Sequence, residues 1–208
     1  MNKIWTITAI ICAMMIHCGC NDDNEVKISQ GTALKQEHIE QAENLDKQSY
    51  AGLENIFLDT KAIQGQEGKI TLLIFGKNNC IYCDKIKDDI KNNDSLKDTL
   101  KANFLPYYIN ISYTKNHTLQ FQNTHSHNRE SASIPTSTLV ETYVKSPMRP
   151  TPTLVFLTPA GERIYELPGY LPSEQILILL KYMQSQKWQG KSLQDISLEI
   201  NESLSHNF

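Results

Sequence analysis

The sequence predicts an α/β domain in which a central mixed sheet is flanked by helices, and three stretches predict it. Residues 70–75, Ile-Thr-Leu-Leu-Ile-Phe, are a short run of apolar, β-branched and aromatic side chains between Gly68 and Gly76, the pattern of a buried strand. Directly after it, Cys83, Ile86 and Ile90 form one apolar stripe at helical spacing, with Asp84, Lys85, Lys87, Asp88 and Asp89 on the wet face. Residues 153–158 read as a strand, Pro159-Ala160-Gly161-Glu162 as a turn, and residues 163–167 as the returning strand of a hairpin.

The 208 residues, 40% hydrophobic and 21% charged with a formal net charge of -3, suffice for one globular domain plus extra segments. No strong basic field is present, so nothing points to nucleic acid as a partner. Five cysteines fall as Cys12, Cys18 and Cys20 near the start and Cys80 and Cys83 in the remainder, which is not the pattern of a disulfide scaffold.

Residues 1–20 carry one early charge, Lys3, then an apolar run over 4–16. The run is too short for a comfortable membrane span and matches the core of a secretory signal, so export is expected. His17-Cys18-Gly19-Cys20 resembles a bacterial lipoprotein signal, in which a small residue precedes a cysteine that is lipidated and becomes the new N-terminus. Gly19 and Cys20 fit that pattern, whereas His17 stands where an aliphatic residue is usual. Lipidation at Cys20 is the first reading; ordinary cleavage and an uncleaved anchor stay open. Residues 21–48 are polar, with Asp22, Asp23 and Glu25 early, and read as a flexible linker with a mean reach of roughly 30 Å. The domain proper is expected over 49–208.

In that domain Leu53, Ile56, Phe57 and Ile63 suggest a helix starting near Ser49 and ending before Gly65. After the cysteine helix, Asp94 caps a second piece bearing Leu96 and Leu100. Residues 104–111 read as a strand that Pro106 weakens early. The polar stretch 112–133, with His117, His125 and His127, reads as an exposed insert or irregular hairpin. From Ser137, Leu139, Val140, Tyr143 and Val144 suggest a short helix stopped by Ser146-Pro147. Residues 174–184 carry Ile176, Leu177, Leu179, Leu180 and Met183, a helix meant to lie on the sheet. Leu193, Ile196, Ile200 and Leu204 give an added C-terminal helix over 191–205.

The chemistry lies at Cys80 and Cys83. A thiol at a helix N-terminus faces free backbone N–H groups and the positive end of the helix dipole, which favour a thiolate. Cys83, one turn on, is within disulfide reach, so the pair can close and reopen. A structural disulfide or two unrelated buried thiols are the plainer readings. A copper- or zinc-binding chaperone using Cys80, Cys83, His125 and His127 is a different class, and a module that only binds partners is a third.

The order strand, C-x-x-C helix, strand, helix, Thr-Pro-Thr strand, hairpin, helix, over roughly 49–185, resembles the thioredoxin fold. In style it is similar to the periplasmic SoxW-type thioredoxin-like proteins, with Cys80, Cys83, Thr151, Pro152, Gly169 and Tyr170 in matching places. The resemblance implies a thiol-disulfide oxidoreductase without a cofactor, with Cys80 attacking and Cys83 resolving. It implies a cis Thr151–Pro152 bond facing the cysteines, with Pro150 as a competing candidate. Thr151, Pro152, Ile81 and Tyr82 would then meet the substrate. Thr151 and the same resemblance imply a reductase or isomerase of protein disulfides; the lipoprotein-like signal implies a lipid-anchored periplasmic location, and export in turn a membrane thiol-electron donor. Apocytochrome c is an alternative substrate. Two departures stand out: Ile74 occupies the place of a buried carboxylate and Asn79 that of a tryptophan. Proton transfer would then fall to water, Lys77 or Glu162.

Overall fold

A computed structural model describes residues 36–122 and 129–205. The expected signal, Cys20, the first part of the expected linker, His125 and His127 lie outside the described residues. The chain runs α1 (Gln36–Gln48), β1 (Ala62–Gln64), β2 (Ile70–Gly76), α2 (Ile81–Asn92), α3 (Asp94–Asn103) and β3 (Phe104–Asn110). It continues through β4 (Asn116–Gln122), β5 (Arg129–Pro135), α4 (Thr136–Tyr143), β6 (Thr153–Leu157), β7 (Arg163–Pro168), α5 (Ser173–Gln184) and α6 (Leu193–Ser205).

The central sheet has the order β3-β2-β6-β7. β2 pairs parallel with β3 and antiparallel with β6, setting Gly76 opposite Asn110 and Phe75 opposite Thr153. Every residue of β2 is buried, as its continuous apolar run requires of a strand covered on both faces. Alternation divides its side chains between two cores. Leu72 and Ile74 join Ile86 and Ile90 of α2, Leu96 and Leu100 of α3, Leu179 and Met183 of α5 and Ile196 and Ile200 of α6. Leu73 and Phe75 face the other way, with Ile63, Val155, Leu139 and Tyr143.

Three expectations need correction. Residues 36–48 of the expected linker form α1 instead of a flexible chain. The composition hid it because α1 is held by a polar anchor: Asp46 is fully buried, ion-paired with Lys115, and accepts from Thr60 Oγ1 at 2.9 Å and the Asn110 N–H at 3.1 Å. Second, the stripe Leu53, Ile56 and Phe57 is buried as read, but on successive turns and not on one helix. Gly52, at φ +86°, takes a left-handed conformation that interrupts any helix there. Tyr50 enters the core from the same segment and meets the Phe57 ring edge-on at 5.7 Å.

Third, the 112–133 stretch is a hairpin, one of its two readings, but it is built into the fold and is not an exposed insert. β4 and β5 form an antiparallel hairpin, and β1 joins β4 in parallel to give a second sheet, β1-β4-β5. Leu119, Phe121 and Ile134 pack from it against the Phe75 side of the core. His117, expected on an exposed insert, is fully buried. Its Nδ1 donates to the Thr60 carbonyl at 2.8 Å and its Nε2 lies 3.0 Å from Thr136 Oγ1.

Burial is the main influence holding the His117 imidazole below the ordinary histidine range; its hydrogen bond to Thr60 opposes that shift and the Lys115 charge adds to it. The unfolded imidazole takes up its proton near pH 6.5, before the folded one does. Its contribution to stability is therefore complete above about pH 6.5 and is lost as pH falls from there toward the lowered folded value. Urea midpoints at about pH 7.5 and about pH 5 are expected to drop for the wild type, and to drop less in His117→Phe. Equal drops in both would show that His117 does not titrate differently on folding. Removing one partner of the buried pair, as in Asp46→Ala, is expected to cost about 3–5 kcal/mol in urea unfolding. The double variant Asp46→Leu with Lys115→Met should recover most of that loss, and a single variant as stable as wild type would contradict the pairing.

Candidate functional site

The end of β2 sets the site. Gly76 closes the strand, and Lys77, Asn78 and Asn79 carry the chain outward as exposed residues. Asn79, at φ +53°, turns it back; asparagine is one of the few residues that take this conformation readily. Cys80 is the N-cap of α2, in extended backbone at φ -119° and ψ 99°. Its carbonyl accepts from the N–H groups of Cys83 at 2.9 Å and Asp84 at 3.0 Å. The Cys83 N–H also points at Cys80 Sγ, 3.2 Å away. A first-turn backbone donor thus faces the sulfur, the arrangement that stabilises a thiolate when the disulfide opens.

Cys80 and Cys83 are joined by a disulfide with a Cα separation of 5.1 Å, inside the usual range for such a bond. Cys83 is 0% exposed and Cys80 7%, so of the two, Cys80 is the one nearer the surface.

The second loop arrives from β6. The Thr151–Pro152 peptide bond is cis, and Cys80 Sγ lies 3.4 Å from the Thr151 carbonyl oxygen and 3.5 Å from Thr151 Oγ1. The neighbouring carbonyl, Pro152 O, accepts from the Gly169 N–H at 2.8 Å, which joins the loop to the end of β7. Pro150 O accepts from Thr153 Oγ1, so Pro150 serves the loop from within.

Next to the cysteines Ile81 is 74% and Tyr82 54% exposed, an apolar and aromatic surface; Met148, three residues before Thr151, is 88% exposed. Tyr82 stacks on Tyr170 with ring centroids 5.6 Å apart and planes at 23°. Lys85 Nζ stands 5.4 Å from the Tyr82 ring centroid, within reach of a cation–π contact. The Tyr170 hydroxyl donates to Asp89 Oδ2 at 2.7 Å; burial first, then that bond and the carboxylate charge, pushes its pKa up to about 12.

Sequence reasoning named Cys80, Cys83, Thr151, Pro152, Ile81 and Tyr82, and the fold brings all six to one end of the sheet. It missed Lys85 and Asp89, whose spacing of three and seven from Tyr82 places them on the same helical face, so the signal was present. Met148 had none. Ile74 is buried in apolar surroundings, and no carboxylate lies on β2. Of the two side chains considered for proton transfer, Lys77 is exposed in the redox loop. Glu162 is excluded: the β6–β7 turn follows Leu157, which pairs with Thr71 at the opposite end of β2 from the cysteines, roughly 15 Å away along the strands. Among the described residues no group of three or more His, Cys, Asp and Glu could hold a metal, and both ring nitrogens of His117 already have partners.

A family model for a thioredoxin-like domain matches residues 56–184. Among solved structures, a thioredoxin-fold protein from Helicobacter pylori is 39% identical, covering 77% of this chain and 97% of that one, with a TM-score of 0.69. A thioredoxin from Thermus thermophilus is 21% identical over 56% of this chain and 74% of that one, with a TM-score of 0.38. A disulphide isomerase from Xylella fastidiosa Temecula1 is 18% identical over 58% and 73% respectively, with a TM-score of 0.33. A comparison with curated proteins finds no match.

Gly76 leaves no room for a side chain, because a Cβ there would stand 2.1 Å from the hydroxyl oxygen and 2.6 Å from Cζ of Tyr108, itself buried. Gly76→Ala is expected to lower stability by about 1–3 kcal/mol in urea unfolding and to slow disulfide exchange by displacing the loop that begins there. An unchanged urea midpoint would show that Tyr108 moves aside freely.

Proposed function

The chain belongs to the thioredoxin-like domain family, and we propose that it works outside the cytoplasm as a reductase or isomerase of disulfides in other proteins. The fold and the Cys80–Cys83 disulfide give it the general chemistry of a thiol-disulfide oxidoreductase. The observation that carries the reading is the position of Cys80: its sulfur caps a helix start, receives the Cys83 N–H, and lies 3.4 Å from the Thr151 carbonyl.

In the dithiol state the Cys80 thiolate attacks one sulfur of a substrate disulfide, forming a mixed disulfide and expelling the other sulfur as a thiolate that takes up a proton. Cys83 gives up its proton, attacks Cys80 Sγ and releases the second substrate thiolate. Two electrons pass to the substrate, and Cys80–Cys83 is left as the disulfide. With Ile74 in the carboxylate position and Glu162 at the wrong end of the sheet, the Cys83 proton leaves to water or by way of Lys77 in the redox loop. An extended substrate segment would pair with the backbone at Thr151 beside Pro152, with its flanking side chains on Ile81 and Tyr82.

The signal-like start supports export, and Cys20 would carry the lipid that holds the protein to a bacterial membrane, on its periplasmic side. No helix among the described residues is long and apolar enough to cross a membrane. Cytoplasmic reductants cannot reach such a domain, so a membrane thiol donor would return the pair to the dithiol. The inserted hairpin and Gly169-Tyr170 favour the SoxW-type subgroup, and apocytochrome c before haem attachment is one substrate of the proposed class.

Cys80→Ser is expected to abolish dithiothreitol-driven insulin reduction. Cys83→Ala in cells is expected to accumulate mixed disulfides at Cys80, in the membrane fraction, and to leave that fraction when Cys20→Ser is added. Identifying the trapped proteins separates apocytochromes from exported proteins in general. Insulin reduction that survives Cys80→Ser, with no adduct on Cys83→Ala, would overturn the assignment.

A further inference from the structure

The exchange proposed for Cys80 needs its sulfur kept at the first turn of α2 while a substrate is attached to it, yet the loop that carries it is exposed. Asn78, two residues before the cysteine, holds that loop through three separate groups. Its backbone N–H donates to Ser112 Oγ at 2.9 Å, its Nδ2 donates to the Tyr113 hydroxyl at 2.9 Å, and its Oδ1 accepts from Asn110 Nδ2 at 2.8 Å.

The receiving side is anchored. Asn110 is 2% exposed, its Oδ1 accepts the Ser112 N–H at 3.0 Å, and its own N–H donates to Asp46 Oδ1 at 3.1 Å. The Ile111 N–H donates to the Gly76 carbonyl at 2.8 Å, which keeps the turn in register with the end of β2. Residues 110–113 are also where the chain leaves the central sheet for the β4–β5 hairpin. The redox loop is therefore tied to the root of the inserted hairpin, and through Asp46 to α1.

We propose that Asn78 and Asn110 are positioning residues for Cys80: the root of the inserted hairpin clamps the redox loop and so keeps the sulfur at the start of α2. This rests on the oxidoreductase reading above. A buried amide with both its functions bonded fixes direction as well as distance, and Asn110 is such a group. Without the clamp, the left-handed turn at Asn79 is free to relax and the sulfur to leave the first-turn N–H that favours its anion.

The test uses Asn78→Ala, at an exposed position where folding should survive, and Tyr113→Phe, which removes one acceptor and no charge. In the dithiol form of Asn78→Ala the ultraviolet thiolate signal is expected to titrate at higher pH than in wild type. Its rate of insulin reduction at neutral pH should fall by about fivefold or more, the scale set by losing two side-chain hydrogen bonds, each at the weak end of the usual range. Tyr113→Phe should shift both in the same direction by a smaller factor. Merely structural bonds would instead lower the urea midpoint and leave thiolate titration and exchange rate, per folded molecule, at wild-type values; that result overturns the positioning role alone. A wild-type protein that neither shows a thiolate signal nor reduces insulin overturns the oxidoreductase reading and this inference with it. Should Asn78→Ala fail to fold, the same two outcomes in Tyr113→Phe decide the matter.

Discussion

The site depends on one pairing, the antiparallel alignment of β2 with β6 that sets Phe75 opposite Thr153. In an antiparallel pair one strand ends where its neighbour begins, so the chain leaving β2 and the chain entering β6 lie at one end of the sheet. The redox loop follows Gly76 and the cis Thr151–Pro152 bond precedes Thr153, and a slip in register would part them. A one-residue slip would also exchange the buried faces of a strand whose two sides serve different cores. Packing on both sides therefore protects the alignment, and the alignment holds the Thr151 carbonyl beside Cys80.

What could be read from the sequence was the part governed by local apolar pattern. Residues 70–75 read as a buried strand because they are apolar without interruption; Cys83, Ile86 and Ile90 read as a helix because they repeat at helical spacing. The cysteine pair at the helix start, and the place of the four residues expected to meet a substrate, followed from that framework and from resemblance. Elements held by polar contacts were not readable in the same way. α1 is a charged, amide-rich helix whose buried anchor is a carboxylate, and nothing local in Asp46 distinguishes it from a solvated one. Its partner Lys115 lies 69 positions away. His117 looked like a surface histidine on a polar segment because β4 is rich in Asn, Gln and Thr. Only pairing with β1 and β5 buries it. Asn78 and Asn110 read as loop-forming residues for the same reason: their importance lies in meeting one another.

The extension of the fold is thus continuous with the chemistry. The buried Asp46 carboxylate accepts from Lys115, Thr60 and the backbone of Asn110, so it joins α1, the segment before β1, the end of β3 and the approach to β4 at one point. An unpaired charge there would be expensive, whereas the paired and hydrogen-bonded one specifies a single arrangement of four chain segments. The aromatic pair Tyr82 and Tyr170 plays a corresponding part on the outside, where the Asp89 bond fixes one ring and stacking fixes the other.

The helix before residue 49 also determines where the domain may be cut. A fragment trimmed to begin at Ser49 would keep the redox cysteines, the cis bond and all seven described strands, yet it would leave the Lys115 ammonium in the interior without the Asp46 counter-charge. Excision at that boundary removes the acid that neutralises the base, and the shortened polypeptide would have to hydrate its own core to relieve it. The smallest self-sufficient unit of this chain therefore includes the polar helix that its composition would have assigned to a tether.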